Sequence, residues 1–104
     1  MLLAGPILAE PAAVAEAMRS WRADYAGLGL PSAPARPILV HDDPFRPQPR
    51  LDVDRDGGMT VTVGRLRPCP LFDYKFVAMG HNTIRGAAGA AILNAELMHK
   101  QGIL

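Results

Sequence analysis

The chain has 104 residues, enough for one small domain and too few for a cofactor domain joined to a substrate domain. Eleven Lys and Arg against ten Asp and Glu leave a formal charge of +1, so no basic field exists to hold a phosphate backbone and no nucleic-acid partner is expected. One cysteine, Cys69, excludes an internal disulfide framework and a multi-cysteine zinc site.

The start, Met1-Leu2-Leu3-Ala4-Gly5-Pro6-Ile7-Leu8, is apolar but lacks the basic flank of a signal peptide. Pro6 and Glu10 interrupt it well short of the roughly 20 apolar residues that span a bilayer. No membrane span is expected, and the expected compartment is the cytoplasm. Glu10-Pro11 opens the first predicted helix, with proline where a missing N–H costs little. Val14, Met18, Trp21 and Tyr25 recur at helical spacing, a stripe read as core. Gly27 and Gly29 are its expected C-terminal stop.

Residues 30–50 hold Pro31, Pro34, Pro37, Pro44, Pro47 and Pro49, six of the ten prolines. Proline removes a ladder donor and restricts its predecessor, so only Ile38-Leu39-Val40 reads as a strand there. The rest, including His41-Asp42-Asp43 and residues 45–50, reads as an extended, ordered surface loop long enough to suggest a functional or interface role. Asp54-Arg55-Asp56-Gly57-Gly58 is a turn. Met59, Val61 and Val63 then alternate with Thr60, Thr62 and Gly64, a strand that Arg65-Leu66-Arg67 extends and Pro68-Cys69-Pro70 ends. Tyr74 to Met79 is a second strand, apolar on both faces except at Lys75, as in a sheet covered on one side and contacted on the other. A long helix is predicted from about Thr83 to Gln101, with Ile84, Ala87, Ala88, Ala91, Ala95 and Met98 as its buried stripe and Gly102 as its C-cap. These elements predict an α+β fold, a mixed or antiparallel sheet packed with helices.

Few residues invite chemistry. His41-Asp42-Asp43 offers three metal ligands in a row, but successive loop residues rarely converge on one ion, and a solvated polar turn is the simpler reading; no metal site is expected. His99 in the last helical turn suits the helix dipole without a site. Cys69 lacks a full electropositive setting for a thiolate. The informative segment is Gly80-His81-Asn82-Thr83-Ile84-Arg85-Gly86-Ala87-Ala88-Gly89-Ala90-Ala91, where a strand hands over to a helix with almost no side-chain bulk. Its free N–H groups and small residues would admit a polar or flat ligand. Equally, Asn82 or Thr83 would simply cap a tightly packed helix.

That segment, continued through Ile92-Leu93-Asn94-Ala95-Glu96-Leu97, resembles the C-terminal signature of aspartate-semialdehyde dehydrogenases of the archaeal and fungal type. The resemblance extends to Leu28-Gly29-Leu30-Pro31-Ser32-Ala33-Pro34, to Pro47-Gln48-Pro49-Arg50-Leu51-Asp52, and to residues 58–67, covering nearly the whole chain from about Glu10. It implies residues 1–104 as a single partial domain, part of a glyceraldehyde-3-phosphate-dehydrogenase-like C-terminal domain plus the final helix. The family enzyme has in addition an N-terminal Rossmann domain for NADP, and its thiolate attacks an aldehyde that passes hydride to NADP.

The resemblance implies no catalytic residue in this chain. Cys69 is not in the family's nucleophile motif, and His41, His81 and His99 do not match its catalytic histidine. It implies cofactor-binding residues at Asn82, whose amide would approach the nicotinamide of NADP, and at neighbouring Thr83. Arg65 and Arg67 match a family strand motif with no role assigned. NADP binding would require the missing N-terminal domain, and the implied partners are a homodimer or homotetramer and an N-terminal fragment. Whether the chain is itself an enzyme is left open. The competing readings are a stand-alone dimerisation module and a fragment of a related acyl-phosphate or acyl-CoA reductase.

Overall fold

A computed structural model describes residues 10–103. The apolar start considered for a leader or membrane span falls in residues 1–9, outside that range. Helix α1 runs Pro11–Ser20 with Pro11 at its first position. It stops earlier than its periodicity predicted: the Ser20 hydroxyl donates back to the Glu16 carbonyl at 2.8 Å, and Trp21 is extended with ψ 136°. Gly27 and Gly29 do take left-handed φ values, but in the turns that follow the helix. The expected core stripe is therefore split. Met18 packs with Ala15 against the sheet, Tyr25 joins a second cluster with Leu28, Leu30, Met59 and Leu93, and Trp21 is 52% exposed. Burial in the second cluster outweighs helical propensity beyond Ser20.

Three strands make one mixed sheet in the order β1-β2-β3, with β1 Ile38–Val40, β2 Val61–Pro68 and β3 Tyr74–Met79. β1 lies parallel to β2, pairing Val40 with Val63, and β3 lies antiparallel to it, pairing Thr62 with Met79. One face carries Val40, Val61, Val63 and Leu66 under Ala15 of α1. Strict alternation would put Arg65 with Val61 and Val63. Instead the register shifts between Gly64 and Arg67, Arg65 takes φ 56°, and Leu66 turns to the apolar face. β3 is an outer strand whose successive residues Phe76 and Val77 point to opposite faces and are both exposed, so neither of its faces is covered among the described residues.

Between β1 and β2 the expected extended loop contains a short helix, α2 Pro49–Asp52, and a 3₁₀ turn at Arg55–Gly58. Pro49 permits the helix because it stands at its first position. After β3 comes a wide π turn, Ile84–Ala88, leading into α3, Gly89–Lys100. Gly102 closes α3 as expected: its N–H reaches the His99 carbonyl at 3.1 Å, and the Ile103 N–H reaches Met98 at 2.9 Å. The buried face is different from the predicted stripe. Leu93 is buried, with Ile84 and Leu97 packed beside it, whereas Ala87, Ala88, Ala91, Ala95 and Met98 are exposed. The helix is apolar around most of its circumference, so period alone does not choose a face; Leu30 and Met59 choose it. The radius of gyration is 15.5 Å, against about 13 Å for a compact domain of 100 residues, so much apolar surface stays open.

Candidate functional site

The corner between β3 and α3 is organised by His81. Its Nδ1 accepts from the backbone N–H of Ile84 at 3.1 Å and of Thr83 at 3.3 Å, with the Thr83 hydroxyl also at 3.3 Å. Accepting two N–H groups requires an Nδ1 without a proton. Two backbone bonds shape the π turn: Gly86 N–H to the His81 carbonyl and Ala88 N–H to the Thr83 carbonyl, both at 3.0 Å. Below lies Gly58, buried and at φ 88°, a left-handed conformation that glycine adopts without strain. A Cβ there would stand 3.2 Å from Cγ and Cδ2 of the His81 ring and 3.1 Å from Cβ of Ile84. The imidazole thus occupies the space that a side chain at position 58 would need.

Asn82 and Thr83, the two cofactor-binding residues expected from the resemblance, are both exposed on this corner. Neither side chain caps the helix, so the simpler reading in which one of them does so is replaced by capping from His81. The Asn82 amide takes no part in the corner's hydrogen bonds, which run to His81 or through the backbone. Beside it Gly86, Ala87 and Ala88 are exposed and small. The exposed Asn82 amide makes no hydrogen bond in the corner, and its Oδ1 lies 3.7 Å from where a Cβ on Gly86 would stand. Held on a braced turn and flanked by little bulk, such an amide fits a flat ring that carries a carboxamide.

Three of the four sequence segments that carry the resemblance meet around this corner and the helix that follows it. Gly58 seats His81, and the Met59 sulfur lies where a Cβ on Gly89 would come within 2.5 Å of it. Glu96 of α3 accepts from Ser32 twice, from its N–H at 2.9 Å and its hydroxyl at 2.7 Å, tying the 28–34 segment to the helix. No alternation or helical period could reveal His81, because Asn and Thr are the usual caps and stand next to it.

A second cluster centres on Asp52, which has no exposed surface. Its carboxylate accepts from Arg46 Nε at 2.8 Å, Gln48 N–H at 2.8 Å and Arg55 Nε at 3.1 Å, and Arg46 adds a second guanidinium contact. The Arg46 guanidinium above all, with the Gln48 N–H and Arg55, holds the Asp52 carboxyl well below the usual carboxylate range against the cost of burial. His41 Nε2 lies 3.3 Å from Asp52 and 3.1 Å from Arg55. Its neighbours go elsewhere: Asp42 pairs with Arg19 at 2.7 Å, and Asp43 accepts from the Phe45 N–H at 2.9 Å. The cluster ties the 41–55 excursion to itself. Its one sequence signal was an acidic residue in the first turn after Pro49.

Cys69 sits in the β2–β3 connection, where its sulfur accepts from the Phe72 N–H at 3.3 Å. That bond, with the Leu71 N–H, Lys75 and Arg67, pushes the thiol pKa down. The full length of β3, roughly 20 Å for six residues, separates it from the Asn82 corner. Arg65 donates to the Pro44 carbonyl at 3.0 Å, and Arg67 donates to the Arg65 carbonyl, so both brace backbone. His99 is exposed in the last turn of α3. No helix among the described residues is long and apolar enough to cross a membrane.

No protein-family model matches the chain. Whole-protein relatives do. The aspartate-semialdehyde dehydrogenase of Methanothermobacter thermautotrophicus is 56% identical over 89 residues, covering 84% of this chain and 26% of that protein. The one from Cryptococcus neoformans is 50% identical over 97 residues, covering 90% of this chain and 27% of that protein. A crystal structure of aspartate-semialdehyde dehydrogenase with NADP from Candida albicans matches with a TM-score of 0.86 at 43% identity, over 99% of this chain and 29% of that one. The chain spans about a quarter of the length of these relatives. Identity at this level along most of the chain, on the same α+β fold, places it in the aspartate-semialdehyde dehydrogenase family.

Proposed function

We propose that this chain forms the C-terminal, dimerisation-side portion of an NADP-dependent aspartate-semialdehyde dehydrogenase, inactive by itself. The intact enzyme would interconvert aspartyl phosphate and aspartate semialdehyde, a step of lysine, threonine and methionine biosynthesis, in the cytoplasm. The observation that carries the reading is the exposed Asn82 amide, without a hydrogen bond of its own, on a corner that His81 already caps. Bound NADP supplies the hydride chemistry. Asn82 would hold its nicotinamide carboxamide by donating and accepting at once, and Thr83 with the small residues 86–88 would keep the approach open. The thiolate, the acid/base group and the nucleotide-binding turn would come from the part of the enzyme that this chain does not match.

The bare edge of β3, with Phe76 and Val77 exposed beside Leu71 and Phe72, supports association with further protein, a homodimer or homotetramer in the intact enzyme. The cofactor reading is tested in a complex of this chain with the remaining portion from a relative. Asn82→Ala should weaken NADP binding by about 0.5–1.5 kcal/mol, the net worth of a hydrogen bond. Asn82→Ser cannot make the two-point amide contact and should behave like alanine. A serine variant that binds NADP as tightly as the parent would overturn the assignment.

A further inference from the structure

An exposed amide is useful to a cofactor only if its direction is fixed, and Asn82 has no side-chain bond of its own in the corner to fix it. What is fixed is its backbone. Asn82 lies between His81 and the two residues whose N–H groups His81 Nδ1 collects, so one imidazole clamps the chain on both sides of it. The His81 carbonyl adds a further tie, to the Gly86 N–H at 3.0 Å. The ring is held in turn: its Cγ and Cδ2 fill the space above Gly58, a buried position whose left-handed backbone and missing side chain make the seat. A change of χ1 that broke the cap would lift the ring from that seat.

We propose that His81, seated on Gly58, is a positioning residue for NADP. It closes the start of the π turn Ile84–Ala88 with Nδ1 and thereby sets the direction of the Asn82 amide. The inference rests on the reading of Asn82 given above. His81 does not touch the cofactor; it acts through Asn82. A purely structural cap would make a different pattern, because it would change stability without changing the affinity of the folded protein for NADP.

Two measurements test this. In the chain alone, amide hydrogen exchange by NMR should speed up at Thr83 and Ile84 in His81→Ala, by about tenfold for a lost hydrogen bond, with Leu93 in the core unchanged. His81→Asn should restore slow exchange, because asparagine Oδ1 hangs one bond from Cγ, as Nδ1 does, and accepts equally well. In the complex with the remaining portion from a relative, NADP titration should show about threefold or greater weakening in His81→Ala and recovery in His81→Asn. In an Asn82→Ala background His81→Ala should then have no further effect. If Asn82→Ala weakens NADP binding but His81→Ala does not, or if the two losses add in full, the positioning role is wrong while the Asn82 contact stands. If Asn82→Ala itself leaves affinity unchanged, the contact is wrong and the positioning role falls with it, whatever the exchange rates show about the cap.

Discussion

Gly64 and Arg46 meet backbone to backbone: a Cβ on Gly64 would stand 2.0 Å from the Arg46 carbonyl oxygen and 2.8 Å from Cδ of Pro47. The central strand therefore receives the proline-rich excursion at a contact that leaves no room for a methyl group. Gly64→Ala must push the 46–47 segment away, and Arg46 carries its bonds to Asp52 with it. A loss of about 1–3 kcal/mol, the cost of overpacking, is expected in chemical denaturation. An unchanged midpoint would show that the excursion is not seated on β2.

Asp52 makes the same excursion sensitive to acid. Its carboxyl is held below its ordinary value in the folded chain, chiefly by Arg46, so it binds its proton less readily folded than unfolded. The stability it contributes is complete above the unfolded carboxylate value of about 3.9 and is lost as pH falls below that toward the folded value. Asp52→Asn should cost about 3 kcal/mol at neutral pH, since it leaves Arg46 and Arg55 without their carboxylate. The variant should also flatten the acid limb of stability against pH. An acid limb equally steep in Asp52→Asn and in the parent would contradict this.

Trp21 stands outside the core despite its helical spacing, 52% exposed beyond the end of α1. Trp21→Ala should cost about 1.5–2.5 kcal/mol, half of the roughly 3–5 kcal/mol for a buried aromatic. A full-sized loss in thermal or chemical unfolding would mean that the stripe from Val14 to Tyr25 is one buried face after all.

Much of the fold was legible where a local rule acts alone. Pro11 marks the start of α1, Gly102 the end of α3, and the alternation of Val61 and Val63 the inward face of β2. What was illegible depends on contacts between distant segments. Trp21 leaves the helix because Tyr25 and Leu28 are packed around Leu93, and α3 shows Leu93 rather than Ala91 to the core because Leu30 and Met59 lie on that side. The bulge that turns Leu66 inward follows no period. At the candidate site, Asn82 is proposed from the resemblance, whereas the cap at His81 escapes sequence reading because its capping bond uses a ring nitrogen rather than the usual oxygen. The Asp52 cluster joins residues 41, 46, 48 and 55 through an irregular segment, and no spacing announces such a meeting.

The proposed division of labour is tested most directly by phosphate-dependent NADPH formation from aspartate semialdehyde, measured with the purified 104-residue chain alone and with the remaining portion of a relative supplied in the same tube. The chain alone should show no rate above a protein-free control, and the pair should show NADP-dependent turnover that Asn82→Ala reduces. Turnover by the chain alone would contradict the proposal, because Cys69 would then have to act as a nucleophile about 20 Å from the corner proposed to face the cofactor.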